Sequence, residues 1–268
     1  MKSKDFQFKV GSRVNLKEFP TDDTGSFDGP EEASPVLEKK LGRIADLQER
    51  LYAEGKQALL IILQGMDTSG KDGATKSVMR DVNPQGVEVT SFKVPSKEEL
   101  GHDFLWRVEK RIPARGMIGV FNRSHYEDVL VVRVHDLVPK AVWSRRFDLI
   151  NDFEARLDRE YCRVVKIFLH ISKDEQKERL EDRLKDRTKL WKFNPADLSE
   201  RKLWSAYRDA YEDALSKCNT EHAPWHIVPA DKKWFRNVVV ADIVEEALED
   251  MDPKFPKVDF DPRAVKIE

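Results

Sequence analysis

The chain has 268 residues, enough for one large α/β domain or two small ones with a substantial core. Charged residues make up 36 % of it, yet 47 basic side chains nearly cancel 49 acidic ones, so net charge gives no argument for a nucleic-acid partner. Cys162 and Cys218 stand in no metal-ligand spacing, the longest apolar run (Ala58 to Leu63) is too short for a bilayer, and Met1 to Asp5 lead into no apolar signal core, which together point to a soluble cytoplasmic protein with no membrane partner.

Residues 1 to about 30 are polar and broken by Pro20, Gly25, Gly29 and Pro30, so they read as an irregular arm. A helix is predicted over about 31–54, with Leu37, Leu41, Ile44, Leu47 and Leu51 at helical spacing and Gly55 as its stop. Ala58–Leu63 is a continuous apolar run, the pattern of a strand buried on both faces. A Gly-rich loop comes next, then a helix to about Val82. Val87–Phe92 reads as a second strand. Ser96 with Glu99 three residues later forms a capping-box pattern, opening a helix whose buried face holds Leu100, Phe104, Val108 and Ile112. Met117–Phe121 is a third strand and about 141–160 a long helix. Val164–Ile171 is a fourth strand, succeeded by two charged helices over about 173–187 and 198–217. Trp225–Val228 is a fifth strand, 234–250 a last helix, and Pro253, Pro256 and Pro262 mark an irregular tail. Strands alternating with helices imply an α/β fold with a mainly parallel five-stranded sheet covered on both faces, and ligands at the carboxyl ends of its strands.

Gly65-Met66-Asp67-Thr68-Ser69-Gly70-Lys71-Asp72-Gly73 comes directly after a strong strand and precedes a helix, which is the context a phosphate-binding loop demands. Glycines let successive amides point inward, the helix N-terminus adds its positive end, and Lys71 supplies a point charge. Gly65, Ser69, Gly70, Lys71, Asp72 and Gly73 are therefore candidate phosphate-binding residues. Asp72 stands where nucleotide-binding loops carry Ser or Thr for Mg²⁺. Asp67 lies inside the loop, where a carboxylate makes sense facing metal ions that bridge phosphates. Asp72 reads either as a helix N-terminal charge or as a support for the metal ligands.

The loop resembles the Walker A segment of the polyphosphate kinase 2 family. The resemblance continues through Val82-Asn83-Pro84-Gln85-Gly86, Phe92-Lys93-Val94-Pro95-Ser96 and Phe104-Leu105-Trp106-Arg107. Phe121-Asn122-Arg123-Ser124-His125-Tyr126-Glu127-Asp128 looks like that family's Walker B region, and Phe168 to Lys173, Trp191-Lys192-Phe193 and Ala223-Pro224-Trp225 extend the match over roughly residues 10–250. It implies a three-layer P-loop kinase fold similar to thymidylate kinase, with an N-terminal arm and helix (1–55), a kinase domain (56–250) holding a helical lid (about 180–197), and a tail (251–268). It implies reversible, Mg²⁺-dependent phosphoryl transfer between inorganic polyphosphate and nucleotides, Mn²⁺ being a substitute. Glu127-Asp128 after Ser124-His125-Tyr126 looks like the class that phosphorylates both AMP and ADP; adenine is the expected base, with guanine an alternative. Homodimers or homotetramers are implied too. Two positions depart from the family: Asn122 where many members have Asp at the Walker B strand end, and Leu190 where relatives often read Arg before Trp-Lys.

Phosphoryl transfer needs positioning and positive charge more than covalent chemistry. Asp67, Lys71, Arg123, Arg183 and Arg187 are the catalytic candidates, and Asp67 and Asp128 the metal candidates. Arg179, Arg183 and Arg187 recur every fourth residue on one helix face, either as a cationic face or as a solvated helix laced with ion pairs; the resemblance favours a lid role for Arg183 and Arg187 and leaves Arg179 structural. Asn122, Glu127 and Asp128 are nucleotide-side candidates, the two acids serving Mg²⁺, the ribose and acceptor side, or a helix N-terminus. Lys76, Arg80, Lys93 and Arg133 are candidates for the phosphate track. Trp191 and Phe193 are placed to stack on a base, and His125 and His170 read as structural.

Overall fold

A computed structural model describes residues 2–267; Met1 and Glu268, the outer bounds of the expected arm and tail, lie outside them. The first long element is α1 (Pro30–Glu54), opened by Pro30 in its first turn and closed by Gly55 in the left-handed region (φ 64°). β1 (Ala58–Gln64) is buried at every position, as its unbroken apolar run requires. It lies at the centre of a five-stranded sheet with β2 (Val87–Ser91), β3 (Ile118–Asn122), β4 (Cys162–His170) and β5 (Trp225–Pro229), in the order β2-β3-β1-β4-β5. Every pairing is parallel, so the sheet is wholly rather than mainly parallel. β2 is an open edge, and Val89 on it is half exposed.

The helices between are α2 (Lys71–Val78), α3 (Trp106–Glu109), α4 (Val131–Val134), α5 (Lys140–Trp143), α6 (Arg146–Glu160), α7 (Lys173–Lys185), α8 (Ala196–Lys202), α9 (Trp204–Lys217) and α10 (Lys233–Met251). Neighbouring side chains on β4 show the layering, because adjacent strand residues face opposite ways. Lys166 reaches Glu154 of α6, while Val165 shares a pocket with Ile243 of α10. α1 lies along α10, with Lys40 Nζ donating to Glu245 Oε2 at 2.8 Å. The N-terminal arm is tied to the body: Val14 N donates to Ser216 Oγ (2.8 Å) and Leu16 N to Glu212 Oε1 (2.9 Å). Both cysteines are buried and unpaired, and burial pushes each thiol up to about 12.

Three expected helices take a different form. The Ser96–Glu99 capping box is present, with bonds of 2.7 and 3.2 Å. Instead of a long helix, however, it opens one 3₁₀ turn (Glu99–Gly101) and then the four-residue α3, and Leu100 is exposed. Asp103 accepts from the backbone N–H of Leu105 (2.9 Å), a local turn that competes with a continuous helix. The helix expected over 141–160 is interrupted between Trp143 and Arg146, and that over 198–217 starts at Ala196 and breaks at Leu203.

Candidate phosphate-transfer site

The Gly-rich loop leaves the carboxyl end of β1, in the middle of the sheet. Gly65 (φ 152°) and Gly70 (φ 95°) turn it, and Thr68 joins them in the left-handed region (φ 62°). A Cβ on Gly65 would stand 2.6 Å from the Leu169 carbonyl oxygen, so the loop packs directly on the end of β4. Lys71 opens α2 and turns its ammonium back into the loop, donating to Gly65 O (2.9 Å) and Met66 O (3.2 Å). Burial, reinforced by Arg123, lowers its pKa to about 8.

At the tip of the loop two polar atoms are buried without a hydrogen-bond partner, Asp67 Oδ2 and Thr68 Oγ1. Arg183 Nη1 stands 3.8 Å from that carboxylate oxygen, an ion-pair distance rather than a hydrogen bond. One free, buried, hard oxygen beside a phosphate loop fits Mg²⁺, which takes one or two carboxylates together with substrate phosphates and water. Among the described residues no group of three or more His, Cys, Asp or Glu side chains forms an all-protein cage. Asp67 would hold such an ion, whose chemistry is to bridge and neutralise phosphate oxygens.

Asn122, one of the two departures from the family pattern, meets the unusual acid of the loop. Its Nδ2 donates to Asp72 Oδ1 across the top of β3. A carboxylate at 122 would face Asp72 with like charge, whereas the amide donates. Next to it Arg123 is held in the left-handed region (φ 62°), a conformation costly for a side chain of this size and found at sites that need a set geometry. Its guanidinium, half exposed, lies 3.5 Å from Glu127 Oε2, and that carboxylate is the main cause of its raised pKa.

The turn Ser124–Asp128 rests on a buried polar cluster that sequence reasoning missed. Lys166, fully buried in β4, donates to Glu154 Oε2 (2.6 Å), Tyr126 OH (3.0 Å) and Cys218 O (2.5 Å). His125 bonds Glu154 (3.1 Å), so its structural reading agrees with its place, as does that of His170, bonded to Leu16 O (3.1 Å). A lysine inside Val164-Val165-Lys166-Ile167 was the readable signal.

Two clefts flank the loop and share Asp67. One is lined by Gly65, Met66, Asp67, Arg123, Glu127, Val131, His135, Gln176, Glu200, Trp204, Tyr207 and Tyr211; it is aromatic, with Arg123 as its permanent cation. The other is lined by Asp67, Thr68, Gly70, Lys71, Asp72, Gly73, Arg179, Asp182, Arg183, Lys189, Lys192 and Lys233, with six cations against three carboxylates among the described residues. The aromatic wall on α9 was not foreseen from the sequence.

The other candidates divide. Arg183 lines the cationic cleft; Arg187 does not. Arg179 is buried and bonds Thr68 O (2.8 Å) and Ala230 O (2.6 Å), a brace for the loop. Asp128, expected on the metal and nucleotide side, is half-buried, with its carboxylate bonded by Arg146 (3.0 Å) and Arg107 at 3.8 Å, and it lines neither cleft. Arg80, expected on the phosphate track, is exposed, pairs with Glu38 and Asp81 (2.5 and 2.9 Å) and lines neither cleft. Arg133 is likewise paired, with Asp213 (2.6 Å). Lys76 and Lys93 line neither cleft. Trp191 is exposed and carries Lys192 over its ring, 5.0 Å from the centroid.

Known proteins share this chain's sequence and fold. The family description Polyphosphate kinase 2 (PPK2) matches residues 30–256. The chain is 46 % identical over 269 residues to an AMP/ADP-polyphosphate phosphotransferase from Meiothermus ruber, covering 99 % of this chain and 100 % of that one. It is 42 % identical over 269 residues to an ADP-polyphosphate phosphotransferase from Rhodopseudomonas palustris, covering 96 % and 93 %. The crystal structure of a polyphosphate kinase 2 from Arthrobacter aurescens superposes with a TM-score of 0.94 at 45 % identity, covering 98 % of this chain and 95 % of that one.

Proposed function

This chain belongs to the polyphosphate kinase 2 family, and we propose that it transfers phosphoryl groups reversibly between inorganic polyphosphate and adenine nucleotides, AMP to ADP and ADP to ATP, with Mg²⁺ as the divalent ion. The observation that carries this reading is the pair of unlike clefts meeting at Asp67. A chain of phosphates needs charge along its length, which the cleft of Lys71, Arg183, Lys189, Lys192 and Lys233 offers. A nucleotide base needs an aromatic wall, which Trp204, Tyr207 and Tyr211 offer, and its phosphates a cation, which Arg123 offers.

The two substrates would then approach the loop from opposite sides, in line. The nucleophile is a terminal phosphate oxygen of AMP or ADP, already ionised at neutral pH, so no general base is required. A new O–P bond forms as the bridging P–O bond of polyphosphate breaks, with no covalent enzyme intermediate. Arg123 from the nucleotide side and Arg183 from the lid side neutralise charge on the moving group. Among the described residues no helix is long and apolar enough to cross a membrane. The open β2 edge, with Val89 exposed, supports assembly into a homodimer or homotetramer.

The test mixes ADP or AMP, Mg²⁺ and long-chain polyphosphate and monitors new ATP or ADP. Product should appear, and Lys71→Ala should abolish it while leaving the circular dichroism spectrum unchanged. No product, together with phosphorylation of a nucleoside by ATP, would show a conventional nucleoside kinase instead.

A further inference from the structure

Behind the phosphate loop lies a cation that no carboxylate among the described residues meets. Arg236, in the first turn of α10, is 3 % exposed. Its Nε and Nη2 donate to Asn237 Oδ1, at 3.1 and 2.7 Å, a neutral acceptor. Among the described residues the guanidinium forms no salt bridge, and no carboxylate bears on its pKa. The charge that acts on it is another arginine, Arg179. That neighbour is already satisfied, by Glu175 at 2.6 Å and by backbone carbonyls.

The guanidinium is pressed against the loop itself. A Cβ on Gly70 would stand 1.9 Å from Arg236 Nη1, and one on Gly73 3.2 Å from Nη2. The glycines of the Gly70-Lys71-Asp72-Gly73 segment thus make room for an arginine as well as for phosphate. The positive charges that bear on it are Arg179 and the positive end of α2, whose first turn holds Gly73. A buried charge left uncompensated destabilises the ligand-free fold, and an anion arriving beside it would offset that cost. Burial and Arg179 hold its pKa down at about 10, the expected mark of that cost.

We propose that Arg236 is an electrostatic positioning residue for the phosphate chain, a cation behind the loop whose charge the incoming phosphates offset. This rests on the reading of the cationic cleft as the polyphosphate side. Arg236 acts through the loop backbone, drawing the chain against the amides of Gly70 to Gly73, and touches no reacting atom.

The test compares wild type with Arg236→Met and Arg236→Lys, using inorganic tripolyphosphate as the probe. Removing the charge should leave the melting temperature of the ligand-free protein unchanged or raise it. It should weaken tripolyphosphate binding roughly tenfold or more, as loss of one charge a few ångströms from a polyanion implies. The KM for polyphosphate should rise while that for ADP stays within about twofold, and Arg236→Lys should recover most of the loss. A lower melting temperature with tripolyphosphate affinity unchanged would make Arg236 a packing residue and overturn the proposal. Should Arg236→Met fail to fold, Arg236→Gln against Arg236→Lys carries the same comparison of neutral with charged. Wild-type protein that binds no tripolyphosphate would overturn the cleft assignment and this proposal with it; binding equal in wild type and neutral variant would overturn this proposal alone.

Discussion

At Lys71 two demands conflict. A phosphate loop needs a cation deep enough to meet the anion, yet depth makes the charge costly. Burial therefore wins over the neighbouring carboxylates and sets the pKa at about 8. The unfolded lysine titrates near 10.5, so between about 8 and 10.5 the unfolded chain holds more protons and stability rises with pH. Below that window charged Lys71 costs the ligand-free fold on the order of 3 kcal/mol. Lys71→Met should accordingly melt higher than wild type below pH 8, and its lead should shrink as pH rises toward 10.5. Melting curves of the two proteins across that range check it; a constant difference would mean the lysine is not held near neutrality. Sequence made Lys71 legible because loop, strand and helix flank it in order. It left Asp72 ambiguous, because the meaning of that carboxylate lies in Asn122, fifty positions away in the chain.

At the scale of elements, β4 and α6 share the burden of holding the Ser124–Asp128 turn in place. The Lys166–Glu154 pair has no solvent exposure on either side chain. Lys166 and His125 together keep the Glu154 carboxyl below its ordinary pKa, against the opposing pull of burial. Lys166→Met should destabilise the fold by roughly 3–5 kcal/mol, since it leaves Glu154 charged and alone. Lys166→Met with Glu154→Leu should recover most of the loss, and urea unfolding midpoints measure both. If the single variant were as stable as wild type, the turn would not depend on the pair. The two arginines expected in a lid part company: Arg183 lines the cationic cleft, and Arg187, four residues on, does not. Regular spacing put them on one face, but α7 ends at Lys185, so Arg187 has left the helix before it could accompany Arg183 into the cleft.

For the whole molecule, the division into two clefts predicts separable kinetics. Lys189→Ala with Lys192→Ala should raise the KM for polyphosphate roughly tenfold and leave the KM for ADP near wild type. Trp204→Ala should do the reverse. Initial-rate measurements with each substrate varied in turn decide it, and a variant that moved both constants equally would argue against two separate sides. The clefts are tertiary products: the aromatic wall comes from α9, the cations from α2, α7, the turn that follows α7, and α10, and Asp67 belongs to both.

The sequence by itself determined the alternation of strands and helices, the phosphate loop and its lysine, and the family. Those depend on local periodicity and on contiguous residues, which a chain displays without folding. Tertiary structure alone decided which charges stay free. Arg80, Arg133 and Asp128 read alike as site residues, and the fold pairs each with a partner from another element. Arg236 read as nothing until α10 laid it against Gly70. Whether a charge acts on a ligand or is cancelled within the protein depends on what faces it across the fold, and no linear spacing records that.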